Sequence, residues 1–159
     1  MPAINPAYVA GFLDGEGNIT ILQRNRYNGG ESYCLIVGFT NCNLHVLELI
    51  RNEYGGSLFQ KRRYKSNHSP SYELRLSTRK LTQRLLTDVL PFLICKKSQA
   101  ELGLSFLRLG KVRREVIGRR RFHPTKGGTV PLMKVVPGEQ EARREMKANL
   151  SVLNKRGVA

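Results

Sequence analysis

The stretch Asn5–Gly17, read Asn-Pro-Ala-Tyr-Val-Ala-Gly-Phe-Leu-Asp-Gly-Glu-Gly, constrains this chain more than any other. Asn5 is a good helix N-cap, and Pro6 suits the first helical position. Val9, Phe12 and Leu13 fall at i, i+3 and i+4, an apolar face for the domain's own core. A second face carries no bulk: Ala7, Gly11 and Gly15 recur every fourth residue. Glycine in a helix interior costs ~1 kcal/mol relative to alanine, so a stripe of it makes sense where another backbone must come very close. The chain contains no second stripe of this kind. The expected partner is therefore the same helix in another copy, crossed in a two-fold homodimer. The expected interface residues are Ala7, Ala10, Gly11, Asp14 and Gly15.

The end of this helix is unusual. Asp14 and Glu16 sit at or just past its C-terminus, where the helix dipole disfavours negative charge by a few tenths to ~1 kcal/mol. Gly15 and Gly17 flank Glu16 and let the backbone leave the helix sharply. In a two-fold dimer the two Glu16 carboxylates come close at the bottom of the seam, and they repel unless a cation sits between them. Hard oxygen ligands of this sort suit Mg²⁺. Taken alone, Asp-Gly-Glu-Gly also reads as a helix C-cap followed by a surface acid.

Val-Ala-Gly-Phe-Leu-Asp-Gly-Glu-Gly at 9–17 closely resembles the signature of the LAGLIDADG homing endonucleases, with the small residues, the glycines and the terminal acid in place. One copy is present, which resembles the homodimeric branch of the family rather than the two-motif monomers. The resemblance covers about 5–109. It implies a site-specific endonuclease whose homodimer makes a double-strand break in a long, near-palindromic DNA site, leaving short 3′ overhangs. It further implies Mg²⁺ or Mn²⁺ held by Glu16, with the Gly15 carbonyl as second ligand, and no small-molecule cofactor.

Charge agrees with a polyanionic partner. The 159 residues carry 27 Lys and Arg against 12 Asp and Glu, a net +15, which points to nucleic acid. A ribosomal-type protein would be equally basic. The length suits one domain, 1–159. No apolar run approaches the ~18 residues of a spanning helix, and the motif begins too near the N-terminus to leave room for a targeting peptide, so an intracellular protein is expected. Three cysteines without paired spacing argue against disulfides and structural zinc; Cys34 and Cys42 read as buried or half-buried thiols.

The remaining pattern predicts an α+β fold of order αββαββα, with one antiparallel four-stranded sheet backed by helices. Strands are expected at Asn18–Tyr27, Ser32–Thr40, Ser57–Tyr64 and Ser71–Ser77, with Asn28-Gly29-Gly30 as a hairpin turn. Helices are expected at about 43–54, stopped by Gly55, and at 78–89, stopped by Pro91. Ser98 and Glu101 have capping-box spacing, so another helix is expected from Ser98 to about Leu109, with Leu102, Phe106 and Leu109 inward. The segment 110–137 reads either as a basic loop that grips phosphates or as a solvated tail. A terminal helix follows at Gly138–Lys155, with Ala142, Met146, Leu150 and Leu153 as its apolar stripe.

The polar face of the sheet mixes donors and acceptors. Asn18, Thr20, Leu22, Arg24, Arg26, Ser32, Gln60, Arg62, Ser71, Glu73 and Arg75 are its candidate DNA-contacting residues. Phosphates need charge alone, whereas base edges need both donors and acceptors, and a two-stranded ribbon fits the major groove. Lys96 and Lys97 immediately precede a helix N-terminus, where cations are unfavourable, which hints at function. The family resemblance places a catalytic lysine after a Pro-Phe-Leu segment; Lys96 matches that position best, with Lys97 next. It also places two polar residues near the metals. Asn41 and His45 stand there, in place of the glutamine and arginine common in the family. His45 reads equally as an exposed first-turn residue. The alternatives of the same fold are an intron-encoded RNA maturase and a cleavage-inactive DNA-binding protein; Glu16 and Lys96 favour the nuclease.

Overall fold

A computed structural model describes residues 4–25, 31–62, 69–109, 114–121, 129–135 and 138–156. Helix α1 spans Pro6–Glu16, and Asn5 caps it by accepting from the Ala7 N–H at 2.8 Å. Val9, Ala10 and Leu13 are fully buried on its inner face. The chain passes directly into β1, Gly17–Asn25, then β2, Glu31–Asn41; the expected Asn28-Gly29-Gly30 turn and Arg26 lie outside the described residues. Helix α2, Leu44–Tyr54, is capped by the Asn43 side chain, and Gly55 ends it at φ 76°, a conformation glycine adopts freely. Strands β3, Ser57–Gln60, and β4, Tyr72–Leu76, complete the sheet, followed by α3, Arg79–Val89.

The four strands form one antiparallel sheet in the order β1-β2-β4-β3. Its inner face is read off the register: Ile19 lies opposite Val37, Ile21 opposite Leu35, and Val37 opposite Leu76. These side chains and Phe39 and Leu74 are buried against Leu47 and Ile50 of α2 and Leu85, Leu86 and Val89 of α3. The helices thus cover one face and leave the other bare. Helix α4 runs from Lys97 to Arg108 and follows a short 3-10 helix at Leu90–Phe92. No described helix is long and apolar enough to cross a membrane.

Four expectations are corrected. On α4 the expected Phe106 is buried and Leu102 packs half-buried against the core, but Leu109 is exposed, and Ala100, Gly103 and Leu107 complete the inner face. A Cβ at Gly103 would meet Leu35 and Leu86 at 3.3 Å, so the small residues let the helix lie close on the sheet. Ser98 is a first-turn residue of α4 and not its cap. Cys42 is exposed, though Cys34 is half-buried. The segment after α4 holds an antiparallel hairpin, β5 Arg114–Arg121 with β6 Thr129–Val135, bulged between Val116 and Gly118. Helix α5, Glu139–Arg156, then docks along the edge strand β1. Asn154 donates to the Ile19 carbonyl at 3.0 Å and Lys147 to Gln23 at 2.7 Å, which occupies part of an otherwise open strand edge.

Candidate active site and nucleic-acid interface

The outer face of α1 is bare. Ala7, Gly11 and Gly15 are exposed, and a Cβ built on either glycine would meet nothing within 4 Å. Among the described residues, nothing therefore requires glycine at these positions. Ala10 departs from the expected interface set, because it is fully buried among the core residues of the chain itself. Glu16 is the last residue of the helix, and its side chain is exposed. Gly17 makes the junction tight: a methyl there would lie 2.3 Å from Leu13 Cδ1 and 2.8 Å from the Leu13 carbonyl oxygen.

Asp14 has a role within the chain that local sequence pattern does not reveal. Its carboxylate accepts from three consecutive backbone N–H groups in the turn before α4: Ile94 at 2.8 Å, Cys95 at 3.2 Å and Lys96 at 2.8 Å. In return, the Lys96 ammonium donates to the Asp14 carbonyl oxygen, one of the terminal carbonyls of α1. Each charge sits at the wrong end of its own helix and at the right end of the other. The carboxylate meets the positive approach to α4, and the ammonium meets the negative end of α1. The two electrostatic oddities of the sequence compensate one another across 82 residues. They bring Lys96 to the helix end that carries Glu16. Lys97 is exposed and begins α4.

Asn41 closes β2 at the same end of the sheet, since Gly17 pairs with Phe39 two residues earlier. Its side-chain oxygen accepts from the Asn43 N–H at 2.8 Å, which fixes the amide at the entry to α2. His45 lies exposed in the first turn of α2, with its backbone N–H capped by Asn43 at 3.1 Å. Both are thus placed at the end of the sheet where α1 meets β1. Among the described residues, no group of three or more His, Cys, Asp or Glu is arranged to hold a metal. One chain offers the Glu16 carboxylate and the Gly15 carbonyl there. Both are hard oxygen donors fit for Mg²⁺, but too few alone for its six-coordinate shell.

The open sheet face follows from register. Asn18, Thr20, Leu22 and Arg24 of β1 are exposed on it, beside Ser32 of β2, which lies opposite Arg24. Asn18 lies over Gly38, where an added Cβ would come within 2.6 Å of its oxygen. On β4, Glu73 and Arg75 share this face, because they oppose Thr40 and Gly38. Ser71 continues the same parity and accepts from the Lys61 N–H at 2.8 Å. Gln60 does not belong to this face. It pairs with Tyr72, whose neighbours Leu74 and Leu76 point into the core, so Gln60 lies on the helix-covered side. Phe59 and Lys61 take its place. A one-residue change of phase exchanges the two faces of a strand. Arg62 lies beyond the end of β3 and is exposed. Glu73 holds Arg75 through Nε at 3.0 Å and Nη2 at 2.6 Å, and the Arg75 guanidinium stacks 5.2 Å from the Phe59 ring centroid.

The sequence matches the model of the LAGLIDADG endonuclease family over residues 9–107. The chain belongs to the LAGLIDADG endonuclease family. No curated protein matches it. Among solved structures, the fold is similar to the homing endonuclease I-CvuI in complex with its target, at a TM-score of 0.66 and 20% identity, covering 93% of this chain and 80% of that one. It is also similar to the archaeal intron-encoded homing endonuclease I-Vdi141I complexed with DNA, at a TM-score of 0.55 and 21% identity over 65% of this chain and 67% of that one. The third is the LAGLIDADG homing endonuclease I-SmaMI bound to cleaved DNA, at a TM-score of 0.54 and 25% identity over 67% of this chain and 36% of that one.

Proposed function

We propose that this chain, acting as one domain, is a site-specific homing endonuclease that works as a homodimer and makes a metal-dependent double-strand break in a long, near-palindromic DNA site, leaving short 3′ overhangs. The observation that carries this reading is the bare glycine face of α1 ending at an exposed Glu16, with Lys96 bound to the same helix end. Crossing two copies of α1 on that face would bring two Glu16 carboxylates together over the scissile region. Glu16 and the Gly15 carbonyl of each subunit would hold Mg²⁺ or Mn²⁺, the coordination shell being completed by DNA oxygens and water. A divalent ion there would activate a water and stabilise the leaving 3′ oxygen of an in-line displacement. Lys96 would offset phosphate charge from its place at the end of α1, and Asn41 and His45 would order water beside it. I-CvuI complexes with DNA determined in the presence of Ca and of Mg are in keeping with divalent ions at such a site.

Asn18, Thr20, Leu22, Arg24, Ser32, Ser71, Glu73 and Arg75 would read base edges from the open sheet face, and Lys61 and Arg62 would contact phosphates. The hairpin β5–β6 would add a basic ribbon, since its strand β5 reads Arg-Glu-Val-Ile-Gly-Arg-Arg-Arg. The test is a randomised duplex library incubated with the protein in Mg²⁺, in EDTA, and as the Glu16→Gln variant. Recovery of one family of sites cut on both strands, only with Mg²⁺ and intact Glu16, is the expected result. Binding without cleavage in any metal would leave a cleavage-inactive DNA-binding protein or a maturase of this fold.

A further inference from the structure

We infer that Asp14 is the residue that positions Lys96 for strand cleavage, rather than a member of the dimer face. The inference rests on the active-site reading above. Three observations carry it. First, both Asp14 oxygens are committed within the subunit, to the N–H groups of Ile94, Cys95 and Lys96. Three converging donors on one carboxylate fix the turn that carries Lys96 in both position and rotation. Charge-assisted hydrogen bonds of this kind are roughly twice as strong as neutral ones. Second, the Lys96 ammonium returns to the Asp14 carbonyl oxygen, so the residue holds both ends of the lysine, the backbone by its side chain and the ammonium by its backbone. Third, Asp14 lies two residues before Glu16 on the last turn of α1. The lysine it holds is thereby tied to the helix end that carries the carboxylate.

Lysine has a long flexible stem, and its ammonium is a point charge with no geometry of its own. A fixed separation between Lys96 and Glu16 therefore has to come from the backbone that carries each of them. The Asp14 bridge supplies that link across 80 residues or more of sequence. A local cap such as Ser98 would start the helix equally well, but it would leave the turn unattached to α1. The link also explains an acid where the dipole of α1 disfavours one. A displacement of about 1 Å in a catalytic constellation can cost on the order of a hundredfold in rate. Loss of the bridge should thus act on the chemical step and leave the sheet that binds DNA intact.

The test uses the 159-residue chain and a duplex recovered from the randomised library. Asp14→Asn keeps the shape but replaces one acceptor oxygen by a donor amide. The expected result is a ten- to hundredfold fall in single-turnover cleavage rate, with the DNA dissociation constant within about threefold of wild type. In a Lys96→Ala background the same substitution should lower the rate no further, because its effect passes through Lys96. A full multiplicative loss in that background would overturn the inference, as would equal losses in binding and cleavage. Asp14→Ser, with one short acceptor, replaces Asp14→Asn if circular dichroism shows the latter unfolded; if neither folds, Asp14 is a folding residue and the assignment falls. Glu16→Gln separates the two readings. If Glu16→Gln still cuts, the active-site reading falls and the inference with it. An inactive Glu16→Gln beside an Asp14→Asn that cuts at the wild-type rate removes the inference alone.

Discussion

Two glycines of α1 and its junction make opposite demands. A methyl at Gly17 would meet Leu13 Cδ1 at 2.3 Å and the Leu13 carbonyl at 2.8 Å, both inside the same subunit. Gly17→Ala should therefore destabilise the fold by about 1–3 kcal/mol, the range for overpacking a tight site, read as a lower urea midpoint at unchanged slope. At Gly11 a methyl meets nothing within 4 Å, and alanine is the better helix former by up to ~1 kcal/mol. Gly11→Ala should leave the circular dichroism spectrum of the subunit unchanged. If α1 crosses its copy on this face, the same variant should sediment as a monomer and lose cleavage. A Gly11→Ala protein that stays dimeric and cuts would remove the crossed-helix arrangement. The contrast separates a glycine needed by the chain from one needed only by a second copy.

At the scale of the element, α5 is fastened to the β1–β2 ribbon by a small polar cluster. Glu31 accepts from the Tyr33 hydroxyl at 2.7 Å and from Arg144 Nε at 3.1 Å, and Gln140 reaches the Glu31 carbonyl at 3.5 Å. The Tyr33 hydrogen bond is the main cause that holds the Glu31 carboxyl below its usual range; desolvation opposes it, and Arg144 adds to it. A carboxylate whose pKa is depressed on folding contributes stability that is present above its unfolded pKa of about 4.3 and lost as pH falls through its lower folded value. Hydrogen exchange in α5 should accordingly quicken below about pH 4.3 relative to α1, and Glu31→Gln should flatten that dependence. The element boundaries were largely legible. Apolar residues at helical spacing marked α1, α2, α3 and α5; alternation marked β1 and β4, and the Asn28-Gly29-Gly30 turn signal marked β2 as the returning strand. Strand β3 was read out of phase because it has only four residues and two adjacent apolar ones, Leu58 and Phe59. Periodicity cannot fix the face of so short a strand; pairing with β4 does. The start of α4 was misread for a different reason. Ser98 and Glu101 make a plausible local cap, whereas the group that anchors the turn is Asp14, from another helix. A tertiary partner leaves no local pattern. Of the candidate site, Glu16 and Lys96 were legible as misplaced charges, but that Asp14 and Lys96 compensate each other was not.

For the whole molecule, a net charge of +15 sets how any DNA complex responds to salt. Counterion release makes log K fall linearly with log salt, with a slope near −0.9 for each phosphate neutralised. The two surfaces proposed above to meet DNA should then separate by experiment. The open sheet mixes Asn18, Thr20, Glu73 and a Glu73-held Arg75, so it carries base-reading chemistry as well as charge. Arg75→Ala should relax sequence preference at one position of the recovered site and cost about 1–3 kcal/mol of discrimination there, leaving the salt slope reduced by no more than about one contact. The hairpin β5–β6 carries three consecutive arginines, Arg119 to Arg121, and no comparable acceptor set in that run. Replacing these three by alanine should weaken binding to all duplexes about equally and reduce the salt slope by about 2–3, one unit for each phosphate lost. Fluorescence anisotropy with the selected site and with a scrambled duplex, across 50–200 mM salt, measures both quantities. If the triple alanine variant instead changes sequence preference at unchanged slope, the hairpin reads bases and the division of labour is wrong. If it changes neither, the ribbon lies off the DNA. The excess charge would then serve the sheet and the ends of the helices alone.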